Sequence, residues 1–217
     1  TEATEIVNPP EEEENSANPY WDYIKMNLIN VDFTNLLSIN SDTKGWIQVN
    51  GTNINYPFVQ TIDNEYYLKR DFNKKSNSAG WVYMDYRNDV ENFDRNTILY
   101  AHGRLNGTMF GSLKNIFDSD WFDDVNNHVI KLSTLTENTL WQVFSVYHIP
   151  TTSDYLQTEF SSNEDFLEFV NMLEERSQYV FNVEFNESDK ILTLSTCYND
   201  QERVVLHAKL IKREVRD

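Results

Sequence analysis

The sequence predicts a mainly β protein: a mostly antiparallel sheet or barrel with helices at its periphery. Three observations carry this. About eight short runs rich in β-branched and aromatic residues recur along the chain, with few helix-length patterns between them. Asn50-Gly51 lies between two such runs in GWIQVNGTNINYPFVQ, a hairpin signal of the type I′ kind. Only one stretch, near Ser161 to Gln178, has the cap and apolar stripe of a long helix. With 217 residues, 40% of them hydrophobic and 14% aromatic, the chain suffices for one sizeable core and one domain. A net charge of -17 argues against a nucleic-acid partner, which needs clustered Lys and Arg.

In chain order, residues 1–18 contain the run Glu11 to Glu14 and little apolar content, so a disordered acidic tail is expected there. Residues 19–217 follow as a single folded domain, with N-terminal helices over 19–44 and the β body over 45–217. Asn18-Pro19 reads as a helix start, an Asn cap before a Pro at the first helical position. Tyr20, Tyr23, Ile24 and Leu28 then recur at helical spacing. Past the hairpin, Asn64 to Leu68 is a short helix or turn, and Gly80 to Asp85 and Thr97 to His102 are strands. A Gly-punctuated loop leads into a short helix near Met109 to Phe117. Val129 to Leu135 and Leu140 to Ile149 are strands about a turn at Glu137-Asn138. Ser161 and Glu164 form a capping-box pattern ahead of the stripe Phe166, Phe169, Val170 and Leu173. Lys190 to Cys197 and Arg203 to Lys212 are the closing strands.

Cys197 is the single cysteine, so no internal disulfide exists. A lone cysteine is most often a small buried hydrophobe. Here it ends the run ILTLSTC, where period-2 alternation puts Ile191, Thr193, Ser195 and Cys197 on one face. The adjoining Ser195-Thr196 offers hydroxyls and backbone donors, and Arg203 opens the next strand. A fixed cation beside a thiol favours the nucleophilic thiolate. Nucleophilic cysteine chemistry needs a base. Of the four histidines, His148 and His207 lie inside strands and His128 in a polar, exposed turn. His102 ends a strand before a loop, the position suited to a site. There is no GxGxxG, Walker loop, HExxH or CxxC, the acidic residues show no metal-binding cluster, and no cofactor is implied. No run of about 18 apolar residues is present to span a bilayer, and no signal peptide opens the chain.

TLSTC followed by Arg203-Val-Val, with YAHG and then NGTMFGSL, resembles the class B sortases of Gram-positive bacteria; the histidine stands 95 residues before the cysteine. The resemblance runs from about Asn18 to the C-terminus. It implies a closed eight-stranded barrel with N-terminal helices and a long helix between strands 6 and 7. It implies a cysteine transpeptidase, with Cys197 attacking a sorting signal of the NPxTx or xPxTG kind after its Thr to form a thioacyl enzyme. His102 would serve as acid and then base, and Arg203 as the stabiliser of the oxyanion. The acceptor would be an amine of a peptidoglycan cross-bridge. By matching local pattern, Asn64, Leu68, Tyr100, Thr151, Tyr155, Leu156 and Ser195, with Thr196 beside the cysteine, are expected to contact substrate. The enzyme would act at the extracellular face of the plasma membrane through an N-terminal anchor that this chain does not contain. Two departures stand out: the span from Cys197 to Arg203 is short, and Asn199 stands where some members carry an acidic residue. Three other readings remain: a pilin-polymerising sortase with a lysine acceptor, a peptidase that only hydrolyses, and a non-catalytic β-rich surface-binding module.

Overall fold

The computed structural model describes residues 4–11, 19–197 and 202–216, with Cys197 described through its backbone. Asn18, Asn199 and residues 12–14 of the glutamate run lie outside the described residues. In chain order the elements are β1 (Thr4–Ile6), α1 (Tyr20–Tyr23), α2 (Thr34–Ile39), β2 (Thr43–Val49), β3 (Asn55–Val59), β4 (Tyr83–Met84) and β5 (Asn96–His102). They continue with α3 (Ser119–Asp123), β6 (Val129–Thr134), β7 (Glu137–Pro150), α4 (Asn163–Glu175), β8 (Ile191–Cys197) and β9 (Glu202–Val215). The strands follow the order β1-β9-β7-β6-β2-β3-β4-β5-β8, and a further β8–β9 pairing closes β2 to β9 into an eight-stranded barrel. The mainly β expectation and the closed barrel both hold. Helix α4 lies between the sixth and seventh barrel strands.

Alternation builds the wall. Along β2, Thr43, Gly45, Ile47 and Val49 are buried and the residues between them are half-exposed. Ile47, Phe58, Leu99, Trp141, Leu192, Leu194 and Leu206 fill the interior, and burying a side chain of this size contributes about 1.5–3 kcal/mol. On the outside of β7, β8 and β9, Phe144, Tyr147, Ile191 and Val205 meet Phe166, Phe169, Val170 and Leu173 of α4. β8 is thus buried on both faces, as its unbroken apolar and β-branched run requires. Helix α1 sets Tyr20 and Tyr23 against Val129, Leu140 and Ile211.

Several local expectations shift. Thr4–Ile6, inside the segment expected to be disordered, pairs antiparallel with Lys212–Glu214 of β9, continuing the edge that β8 covers as far as Lys209. Pro19 occupies the cap position of α1 rather than its first turn. The Asn50-Gly51 turn is longer than a two-residue hairpin loop, because β3 begins only at Asn55 and Gly51 alone has a positive φ, at 69°. Ser162, one residue later than expected, caps α4 by accepting the Asp165 backbone N–H at 3.1 Å. Gly80 to Asp85 pairs as strand only at Tyr83–Met84. Finally, β5 pairs parallel with β8; a parallel neighbour needs a long crossover, and β6, β7 and α4 provide it.

Candidate active site

The parallel register of β5 on β8 puts His102 opposite Cys197, and the antiparallel register of β8 on β9 puts Cys197 opposite Arg203. His102, distant in sequence, therefore shares one rung with Cys197 and its near neighbour Arg203, on three strands spaced about 4.8 Å apart. His102 and Cys197 are the last residues of their strands, and Arg203 is the second of its own.

Beside this rung lies a cleft of about 300 Å³ lined by His102, Arg203, Leu68, Tyr83, Tyr100, Thr151, Thr152, Tyr155, Leu156 and Ser195, with Ala101 at its base. Its floor is the outer face of β5 and β8. One wall is the 3-10 turn Tyr66–Leu68, and the other is the loop from β7 to α4. Leu68, Tyr100, Thr151, Tyr155, Leu156 and Ser195, all expected to contact substrate, thus line the cleft. Two expected contacts do not. Thr196 points to the opposite face, beside Val204 and Gly103 in a separate small depression. The Asn64 amide is committed elsewhere, its Oδ1 accepting the Tyr86 N–H at 3.0 Å and its Nδ2 donating to Asp85 at 3.1 Å.

His102 is oriented by the turn: its Nε2 lies 2.8 Å from the Leu68 carbonyl oxygen. A carbonyl only accepts, so Nε2 carries a proton. Gly80 makes this approach possible. Its φ is +59°, and a Cβ there would lie 2.6 Å from the Tyr67 oxygen, 2.9 Å from the Leu68 oxygen and 3.1 Å from the His102 ring. Across the floor, the Tyr155 and Ser195 hydroxyls are 2.9 Å apart, tying the loop to β8.

Sequence reasoning missed Tyr83, whose ring packs 5.2 Å from that of Tyr100, and the buried Asp85. Burial alone would raise the Asp85 pKa, but hydrogen bonds from Arg87 and Tyr100 outweigh it and hold the carboxyl below its ordinary value. Asp85 and Tyr83 lie in the predicted strand GWVYMD, yet nothing local marks which of its residues would face the cleft. His128, expected in an exposed turn, is buried; its Nε2 bonds the Phe122 oxygen at 2.9 Å.

Under the floor lies a hydrogen-bond chain whose protons are all assignable. Asn96 gives its Nδ2 hydrogens to the Tyr155 and Gln157 carbonyls, so its Oδ1 accepts from Thr193 at 2.7 Å. The Thr193 oxygen then accepts from His207 Nδ1 at 2.8 Å, and His207 Nε2 accepts from the Tyr147 hydroxyl at 2.8 Å. Burial, with Arg176 nearby, pushes the His207 pKa down to about 3. The unfolded value is about 6.5, so between these limits the unfolded chain holds the extra proton. Stability from this group is complete above pH ~6.5 and falls as the pH drops, by about 1.4 kcal/mol per unit. Denaturant unfolding of the wild type and His207→Gln between pH 6.5 and 5 is expected to show a smaller slope in the variant; equal slopes would remove His207 as the source.

A closed barrel with histidine, cysteine and arginine on one rung beside a peptide-sized cleft defines a class of thiol acyl-transfer enzyme, and the comparisons agree. The sortase domain model matches residues 47–211. Sortase B of Listeria monocytogenes is 33% identical over 186 residues, covering 84% of this chain and 75% of that protein. Bacillus anthracis sortase B is 39% identical with a TM-score of 0.77, covering 90% of this chain and 94% of that one. A Staphylococcus aureus sortase B–substrate complex is 34% identical with a TM-score of 0.77, over 83% of this chain and 84% of that one. The chain belongs to the sortase family, in its class B. It is a transpeptidase of cell-wall protein sorting.

Proposed function

We propose that Cys197, His102 and Arg203 carry the transfer, and that the donor is a sorting signal of the NPxTx or xPxTG type. The Cys197 thiolate attacks the carbonyl carbon of the signal's Thr. The oxyanion that forms is stabilised by the Arg203 guanidinium, a fixed cation placed where negative charge develops. His102, which enters the step as an imidazolium beside the thiolate, gives a proton to the leaving amine nitrogen, the peptide bond breaks, and a thioester to Cys197 remains. An amine of the peptidoglycan cross-bridge then attacks the thioester and loses its proton to His102. The new amide bond releases the thiolate. The shared rung at the mouth of the cleft is the observation that supports this reading. Thr151, Tyr155, Leu156, Leu68, Tyr100 and Ser195 form the peptide-binding surface, within a single catalytic domain over 19–217. The enzyme works at the cell surface; among the described residues no helix is long and apolar enough to cross a membrane.

A library of fluorogenic peptides built on both signals, with and without triglycine, tests this. Cleavage that depends on Cys197 and yields the triglycine adduct is expected. Free acid alone would indicate a hydrolase, and preference for a peptide lysine over triglycine a pilin-polymerising enzyme. No reaction, with a thiol inert to alkylation, would indicate a surface-binding module.

A further inference from the structure

One buried charge beside the cleft has no part in the transfer chemistry. Asp85 follows β4 and is fully buried. Its Oδ1 accepts the Arg87 Nε–H at 2.8 Å and the Arg87 backbone N–H at 3.0 Å. Its Oδ2 accepts Arg87 Nη2 and the Tyr100 hydroxyl, each at 2.8 Å, and Asn64 Nδ2 at 3.1 Å. Arg87 Nη2 donates in turn to the Leu156 carbonyl at 3.0 Å. One carboxylate thus reaches the cleft floor through Tyr100, the turn before Leu68 through Asn64, and the opposite wall through Arg87 and Leu156. Asn96 holds the carbonyls on either side of Leu156, so three consecutive carbonyls of that loop are gripped from the β4–β5 side.

We propose that Asp85 and Arg87 are positioning residues that fix the separation between Tyr100 and Leu156, and so select which peptide side chains fit the cleft. The inference rests on the peptide-transfer reading above. A charge-assisted bidentate pair is geometrically stiff, and in a buried network each bond constrains the next. A cleft held this way discriminates by size; one whose loop floats on apolar packing would adapt to its ligand. Arg87 is also half-exposed along its outer edge, with its side chain 39% accessible, so replacing it opens no cavity in the core, although it leaves the buried Asp85 carboxylate without its cation. The Asn64 amide then matters through Asp85 rather than through the peptide.

The test compares wild type, Arg87→Gln and Arg87→Lys on signal peptides varied in side-chain size one position at a time, with triglycine as acceptor. Wild type must form the Cys197-dependent adduct; if it does not, the transfer reading falls and this inference with it. Given that activity, Arg87→Gln is expected to shrink the preference for the best peptide over its size variants at one position by about tenfold, the scale on which a pocket tells one methylene from another. KM for the best peptide rises, while kcat and the rate at which iodoacetamide alkylates Cys197 stay within about twofold. Arg87→Lys keeps a cation on Asp85 but lacks the planar fork that reaches Leu156; it should lose the same selectivity with less loss of stability, and it decides the matter if Arg87→Gln does not fold. An equal fall in turnover on every peptide, with the preference unchanged, would make the pair a plain scaffold and overturn the inference while leaving the transfer reading intact.

Discussion

Arg203→Ala is expected to lower kcat/KM on sorting-signal peptides by about 10²–10³-fold, the scale found when a preorganised oxyanion donor is removed. Arg203 lines the cleft and pairs with Cys197 in the β8–β9 register. Its Nη1 donates to the Glu202 carbonyl at 3.1 Å, which helps aim the guanidinium before substrate arrives. Lysine would keep the charge but not the planar fork, so Arg203→Lys should recover only part of the loss. The deficit should appear mainly in kcat, because the charge being stabilised exists only after attack. Cys197→Ala sets the floor of the assay. A change confined to KM would instead make Arg203 a peptide anchor.

The largest effect on stability is expected at the other end of the same strands. Lys209 and Asp189 form an ion pair at 2.9 Å with side chains 6% and 0% exposed. Asp189 also accepts Asn8 Nδ2 at 2.7 Å and the Asn186 N–H at 2.8 Å, while Lys209 also donates to the Glu184 carbonyl at 2.8 Å. Lys209→Met leaves a buried carboxylate without its cation, a loss of about 3–5 kcal/mol. In a domain of this size that is a fall in Tm of about 10 °C. Adding Asp189→Asn removes the stranded charge while keeping an acceptor, and should recover most of the loss. Paired thermal melts would show it. Because Lys209 sits opposite Ile191, at the far end of β8 from Cys197, kcat at 25 °C should be unaffected. A single variant as stable as wild type would mean that the pair is solvated rather than buried.

Much of this molecule was legible because its signals are local. The alternation of ILTLSTC separates Leu192 and Leu194 from Ile191, Thr193 and Ser195, and the structure sets the leucines in the barrel interior and Ile191 against α4 on the other face. The stripe of α4 was legible for the same reason. What escaped was long-range. The parallel seating of β5 on β8 is set by a crossover of nearly ninety residues, and no spacing in either strand announces it. Asp85, Arg87 and Leu156 come together from separate segments, so their network has no linear trace. The docking of β1 escaped because its composition is acidic; what orders it is the backbone edge that β9 leaves open above Lys209, and composition does not record an open edge. Asn64 and Thr196 do not line the cleft, and a motif match carries a residue's position but not the direction of its side chain.

The seating of β5 on β8 also has a kinetic consequence. His102 and Cys197 come together only through a pairing of residues 95 positions apart, and closing so large a loop is slow compared with forming local hairpins. The β8–β9 hairpin, which brings Arg203 to Cys197, is by contrast local. A chain emerging in extended form would therefore hold cysteine and arginine together early, while the histidine arrives only when the barrel closes. Assembly of the His102–Cys197–Arg203 rung is in this way coupled to completion of the fold.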